Sequence, residues 1–226
     1  MTNMDTYTTL NRGSVALITV DVQNDFVLPG APAEMPGASR MIAKVVQLVQ
    51  AFRRAQKLVI HVVRLYLPDG SNVDLCRRTA IRSGKQVVLP GTEGSELVAE
   101  LKPSPSTRLQ SELLLGGNMQ PIGDHEVIVY KPRWGAFYRT PLEAFLREHR
   151  VDSLVFCGCN FPNCPRASIY EASERDFKIA LVKDAVSGLY EQGTRELERI
   201  GVSIQTTAEM TSWLEEARDP VPYPEH

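Results

Sequence analysis

The segment order predicts an α/β protein: a Rossmann-like three-layer αβα sandwich with a mainly parallel sheet of about six strands. Three observations support this. Short runs rich in Val and Ile alternate with longer stretches of helical period. The 226 residues suit one domain with a sizeable core and are too few for two comfortable ones. Three chemistry-bearing residues, Asp21, Lys131 and Cys164, fall at or just past the carboxyl ends of predicted strands, where parallel sheets bind ligands.

The elements follow in order. Val15 to Val22 reads as a buried strand. Ser39 to Gln56 reads as a helix with Ile42, Val45, Val46, Val49 and Phe52 on one face. Lys57 to Leu65 is the next strand, and Glu96 to Leu101 a short helix. Glu126 to Lys131 is a strand, Pro141 to His149 a helix with proline near its start, and Ser153 to Cys159 a strand. Asn163 is positioned as an N-cap for a helix that opens at Cys164 and runs to about Arg175. Lys178 to Val186 is a strand, Tyr190 to Ile200 a helix, and Ser203 to Thr207 a last strand. The predicted domain spans 1–226 with its core over about 15–207. Residues 67–123 form a long, irregular insertion rich in Pro and Gly, of the kind that serves as a lid or interface. The Pro-rich tail, 219–226, is expected to be loosely held.

Composition narrows the function. With 43% hydrophobic and 23% charged residues and a formal net charge of -2, nothing points to nucleic acid or a membrane surface. No apolar run approaches the roughly 20 residues that span a bilayer, and Met1 to Arg12 lacks the apolar core of a signal peptide. The four cysteines do not form a secreted disulfide framework. A cytoplasmic protein acting on a small molecule is expected.

Cys164 is the candidate nucleophile. A thiol at the first turn of a helix after a strand feels the positive end of the helix dipole, which favours the thiolate. Cys157 and Cys159, two apart in a strand, read as packing residues, and Cys76 as incidental. Zinc is not expected, because two of the clustered thiols sit within a strand and no His follows at ligand spacing. His61, His125, His149 and His226 read as structural or surface residues. Asp21 is either a turn residue or a general base, and Lys131 either a solvated lysine or the partner of that carboxylate. Together the three are the parts of a covalent hydrolase.

Three motifs then carry a resemblance: Val20-Asp21-Val22-Gln23-Asn24-Asp25-Phe26, Tyr130-Lys131-Pro132-Arg133-Trp134-Gly135-Ala136-Phe137 and Gly158-Cys159-Asn160-Phe161-Pro162-Asn163-Cys164. In this order, across about Val15 to Thr207, the chain resembles the isochorismatase-like cysteine hydrolases, which include nicotinamidases and N-carbamoylsarcosine amidohydrolases. The resemblance implies an Asp21-Lys131-Cys164 triad. It also implies a cis peptide between Cys159 and Asn160 and an oxyanion hole from the backbone N–H groups of Asn160 and Cys164. It implies a homo-oligomer, dimer or tetramer, and no cofactor. The reaction implied is cleavage of a C–N bond in a small amide, carbamoyl or ureido compound through a thioester. The alternatives are a non-catalytic binding or assembly protein, an isochorismatase-type hydrolase of another small metabolite, or a redox-sensing thiol with Cys159 as its resolving partner.

The chain departs from the family in two places. Arg64 to Leu75 lacks the His of the nicotinamidase metal motif, and the turn from Asn160 to Asn163 carries Phe161 and Pro162 where relatives have small residues. Phe26, Trp134, Tyr138 and Phe161 are candidate pocket residues. Arg166 is either a carboxylate binder or an ion-pair partner of Glu171 or a neighbouring subunit.

Overall fold

Seven strands form one sheet in the order β3-β4-β2-β1-β5-β6-β7 in the computed structural model, which describes residues 6–216. The strands are β1 (Val15–Val20), β2 (Leu58–Val63), β3 (Gln120–Gly123), β4 (Glu126–Tyr130), β5 (Ser153–Gly158), β6 (Lys178–Val186) and β7 (Ser203–Gln205). All pairings are parallel except that of β3 with β4. The expected fold class is observed, with one strand more than expected. β3 holds Pro121 and Gly123, residues that weaken strand propensity and are tolerated at a sheet edge, where β3 sits.

β1 shows how both faces are covered. Val15 and Leu17 enter one apolar cluster, while Ala16, Ile18 and Val20 enter another, as the two-residue strand period requires. The first face is covered by α2 (Ala38–Arg54) and α8 (Thr207–Glu215). α2 buries Met41, Val45, Leu48, Val49 and Phe52; Ile42 and Val46 lie at the margin. The buried stripe is thus rotated from the predicted one toward Met41 and Leu48, and α8 packs beside α2. The second cluster takes residues from α5 (Leu142–Glu148), α6 (Cys164–Ser173) and α7 (Glu191–Arg199). Burying each Leu or Phe here stabilises by about 1.5–3 kcal/mol.

Three further helices were not expected: a single turn α1 (Asn24–Val27), α3 (Leu75–Arg82) and α4 (Ser111–Leu115). The last two fall inside the insertion, which is therefore partly helical. The short helix expected over Glu96 to Leu101 is a 3-10 turn at Ala99–Leu101. α8 also escaped the sequence reading, although Thr206 and Glu209 form a capping box that marks its start. The tail 219–226 lies outside the described residues. No helix among the described residues is long and apolar enough to cross a membrane.

The strand order creates a switch point. The chain steps outward from β1 to β2 and β4, then returns to place β5 on the other side of β1. Beyond the carboxyl ends of such neighbouring strands a crevice opens.

Candidate active site

Asp21 and Lys131 hang from the sheet's hydrogen-bond ladder, and so does Cys159, at the start of the turn that leads to Cys164. Asp21 N–H donates to Val62 O at 2.9 Å, Lys131 N–H to Val63 O at 3.0 Å, and Cys159 N–H to Val20 O at 2.8 Å. Gly158 permits the last of these contacts. Its φ is 115°, and a Cβ there would stand 2.2 Å from Val20 O, so only glycine lets β5 close on β1. The peptide bond that follows, Cys159–Asn160, is cis.

Lys131 lies at the end of β4, two strands from β1, and reaches over the end of β2. Its Nζ donates to Asp21 Oδ2 at 3.0 Å and to Arg133 O at 3.3 Å. Lysine and aspartate are both shielded from solvent, at 0% and 4% side-chain exposure. The other carboxylate oxygen, Asp21 Oδ1, is buried with no hydrogen-bond partner among the described residues. Asp21 shares a small crevice with Phe26, Met35, Arg77, Asn160 and Cys164.

Cys164 is the first residue of α6. Burial and the negative charge of Asp21 push its thiol up to about 12, against the pull of Lys131 and Arg64. This corrects the expectation from the helix dipole. Desolvation and the carboxylate favour the neutral thiol at rest. Asn163 precedes the helix but its side chain makes no capping bond, contrary to expectation, since its backbone is turned to φ -116° and ψ -98°. The backbone N–H groups of Asn160 and Cys164 donate no hydrogen bond among the described residues.

The loop after Lys131 is fastened to the helix that carries Cys164. Ala136 N–H donates to Ser168 Oγ at 3.0 Å, Phe137 N–H to Glu171 Oε2 at 2.8 Å, and Ser168 Oγ–H to Cys164 O at 2.7 Å. Cys159 does more than pack: its Sγ–H donates to Asp21 O at 3.0 Å. Cys157 is buried in the same cluster.

The remaining candidates are dispersed. Phe26 lines the crevice. Phe161 is wholly buried, edge-on to Tyr190 with ring centroids 5.5 Å apart. Trp134 lies close to two guanidinium groups, those of Arg64 at 5.8 Å and Arg77 at 5.0 Å from the ring centroid. Tyr138 is exposed beside Arg139. Arg166 bonds Glu196 Oε2 at 2.6 Å and Tyr190 OH at 2.8 Å, and its expected partner Glu171 instead holds the Lys131 loop.

Sequence reasoning missed several residues at the site. Arg64 is fully buried, ion-paired with Asp74 and bonded to Tyr66 OH at 3.2 Å. Burial opposes its charge, but Tyr66, Asp74 and Asp21 hold it firmly protonated. Gln23 bonds Arg64 N–H and O at 2.7 and 2.8 Å, and Ser95 O at 2.6 Å. Asn24 and Asp25 grip Glu93 O and Val88 N–H at 2.7 and 2.6 Å. The first motif thus clamps the insertion against the site. His61 is buried and structural, as expected, bonded to Thr19 Oγ1 at 2.8 Å and Glu126 Oε1 at 2.7 Å. Among the described residues, no three or more His, Cys, Asp or Glu gather as a metal site.

Comparison with known proteins identifies the family of the chain. The isochorismatase domain family matches residues 15–111 and 110–213. A protein from Arabidopsis thaliana named probable inactive nicotinamidase is 31% identical over 209 residues, covering 90% of this chain and 96% of that one. An N-carbamoylsarcosine amidase from an Arthrobacter species is 25% identical over 204 residues, covering 88% of this chain and 71% of that one. The crystal structure of an isochorismatase family protein from Desulfovibrio vulgaris superposes with a TM-score of 0.76 at 30% identity, over 90% of this chain and 99% of the other. The motifs, the strand order and these matches agree: the chain belongs to the isochorismatase family.

Proposed function

We infer that the protein is an amidohydrolase that cleaves the C–N bond of a small amide, carbamoyl or ureido compound, with Cys164 as nucleophile, Asp21 as general base and Lys131 as the partner of Asp21. The observation that carries this is the buried Lys131–Asp21 pair, which leaves Asp21 Oδ1 without a partner in the crevice that holds the Cys164 thiol. A buried carboxylate oxygen left open is costly unless it has work to do, and taking a thiol proton is such work. The similarity to an N-carbamoylsarcosine amidase supports the reaction class.

The steps follow from the groups present. As Cys164 Sγ attacks the carbonyl carbon, its proton passes to Asp21. Because the resting thiol is neutral, attack and proton transfer are coupled. The tetrahedral oxyanion accepts hydrogen bonds from Asn160 and Cys164 N–H, which have no other acceptor. Asp21 then protonates the leaving nitrogen, and ammonia or an amine departs, leaving a thioester. Asp21 takes a proton from water as it attacks the thioester, and the proton returns to sulfur as the acid product leaves. Lys131 fixes the carboxylate through its Nζ hydrogen bond to Asp21 Oδ2.

Two observations favour a second reading, a binding protein without turnover. The crevice holds only about 10 Å³ of free space, and one relative is named as inactive. Ammonia release from a panel of small primary amides and ureido acids, with Cys164→Ala as blank, separates the two. Release that disappears in the variant supports the hydrolase; none from any compound supports the binding protein.

A further inference from the structure

The catalytic crevice has room for about one water, so an amide placed at Cys164 must extend its remainder elsewhere. A larger cavity of about 430 Å³ adjoins it, sharing Met35 and Arg77 as walls. Arg77, on α3, is half-buried and belongs to both spaces.

The state of Arg77 is unusual. One of its N–H groups donates to Tyr66 OH at 2.8 Å, and the guanidinium stacks 5.0 Å from the Trp134 ring centroid. No carboxylate pairs with it among the described residues. Its neighbour Arg64 holds Asp74 instead. The one carboxylate lining the larger cavity, Glu34, bonds Gly30 N–H at 2.8 Å. Tyr66 and Trp134 fix the plane of the fork while leaving donors open, the arrangement that recognises a carboxylate with two parallel hydrogen bonds. Lys85, which also lines the cavity, adds positive charge. Arg166, the arginine expected for this role, is occupied by Glu196 and Tyr190 and lines a different surface cavity.

We propose that Arg77 is the specificity residue of the site, and that it anchors a carboxylate on the substrate, so that the substrates are small anionic amides or ureido acids whose carbonyl lies at Cys164. The assignment rests on the amide-hydrolase reading of the same crevice and adds to it the charge of the substrate and the residue that reads it.

Titration calorimetry on a Cys164→Ala background tests this without turnover, using succinamate and its neutral counterpart butyramide as probes. Succinamate is expected to bind at least about tenfold more tightly than butyramide. Adding Arg77→Gln brings the ratio close to one, and Arg77→Lys, which keeps the charge but loses the fork, gives a value between. Damage to the fold would weaken both probes alike and leave the ratio standing. Equal binding of the two probes before Arg77 is changed, binding of neither, or a preference that survives Arg77→Gln overturns the proposal. Succinamate that binds through Arg77, while neither it nor any other compound of the amide and ureido panel yields ammonia with the unaltered protein, removes the hydrolase reading and leaves the anchor in place.

Discussion

Lys131 Nζ lies 3.0 Å from Asp21 Oδ2 although 110 residues separate the two, and both side chains are cut off from solvent. Removing one partner strands the other charge. Lys131→Met is expected to cost about 3–5 kcal/mol of stability, measured by urea denaturation, and to abolish ammonia release. Near-normal stability in that variant would show that the pair is not a closed ion pair.

The thiol state gives a pH prediction. With Cys164 pushed up to about 12, its alkylation by iodoacetamide, followed on the Cys164 peptide by mass spectrometry, rises about tenfold per pH unit from neutrality upward with no plateau below about pH 10. In Asp21→Asn the opposing charge is gone, and the profile moves to lower pH. A plateau near pH 7 in the unaltered protein would mean a preformed thiolate and a different first step.

Glu126 couples acid to stability. Burial raises its pKa, but hydrogen bonds from His61 and Arg53, at 2.7 Å each, outweigh this and bring it down to about 2. A carboxylate held below its unfolded value stabilises the fold above that value, and the stability is lost as pH falls. The loss therefore runs between about pH 4.5 and pH 2 and amounts to at most about 3 kcal/mol. Glu126→Gln flattens this part of the profile; an unchanged slope would place the acid sensitivity elsewhere.

Gly158 is the backbone position least able to change. Gly158→Ala sets a Cβ 2.2 Å from Val20 O at a φ of 115°. A cost of about 3 kcal/mol or more is expected, together with loss of activity as Asn160 shifts. Calorimetric melting of the variant tests this.

Arg166 belongs to a half-exposed pair with Glu196. Arg166→Ala is expected to change stability by less than about 1 kcal/mol and to lower activity on neutral and acidic amides equally. A loss confined to acidic amides would return the carboxylate role to Arg166.

The sheet and its ends were legible because they depend on local pattern. Runs such as Val15–Val20 and Ser153–Gly158 are apolar over the length of a strand; Asp21 and Lys131 bring charge directly where a strand stops, and Cys164 opens the helix after the turn that follows β5. β3 was not legible, because Pro121 and Gly123 hide a strand that exists only by pairing with β4. The clamp of Gln23, Asn24 and Asp25 on the insertion, and the placing of Arg64 and Arg77 beside Trp134, depend on contacts between distant segments that no periodicity encodes. The thiol's state was misread for the same reason: the helix start is local, whereas the burial and the Asp21 charge that override it are tertiary.

The central claim is that sulfur carries the acyl group. Acid quenching during turnover of an ammonia-releasing substrate, followed by mass spectrometry of the peptide containing Cys164, tests it most directly. The account predicts an added acyl mass on that peptide, lost on hydroxylamine treatment, and no ammonia release in Cys164→Ala. Ammonia release from Cys164→Ala at the unaltered rate, with no adduct on the native peptide, would contradict it.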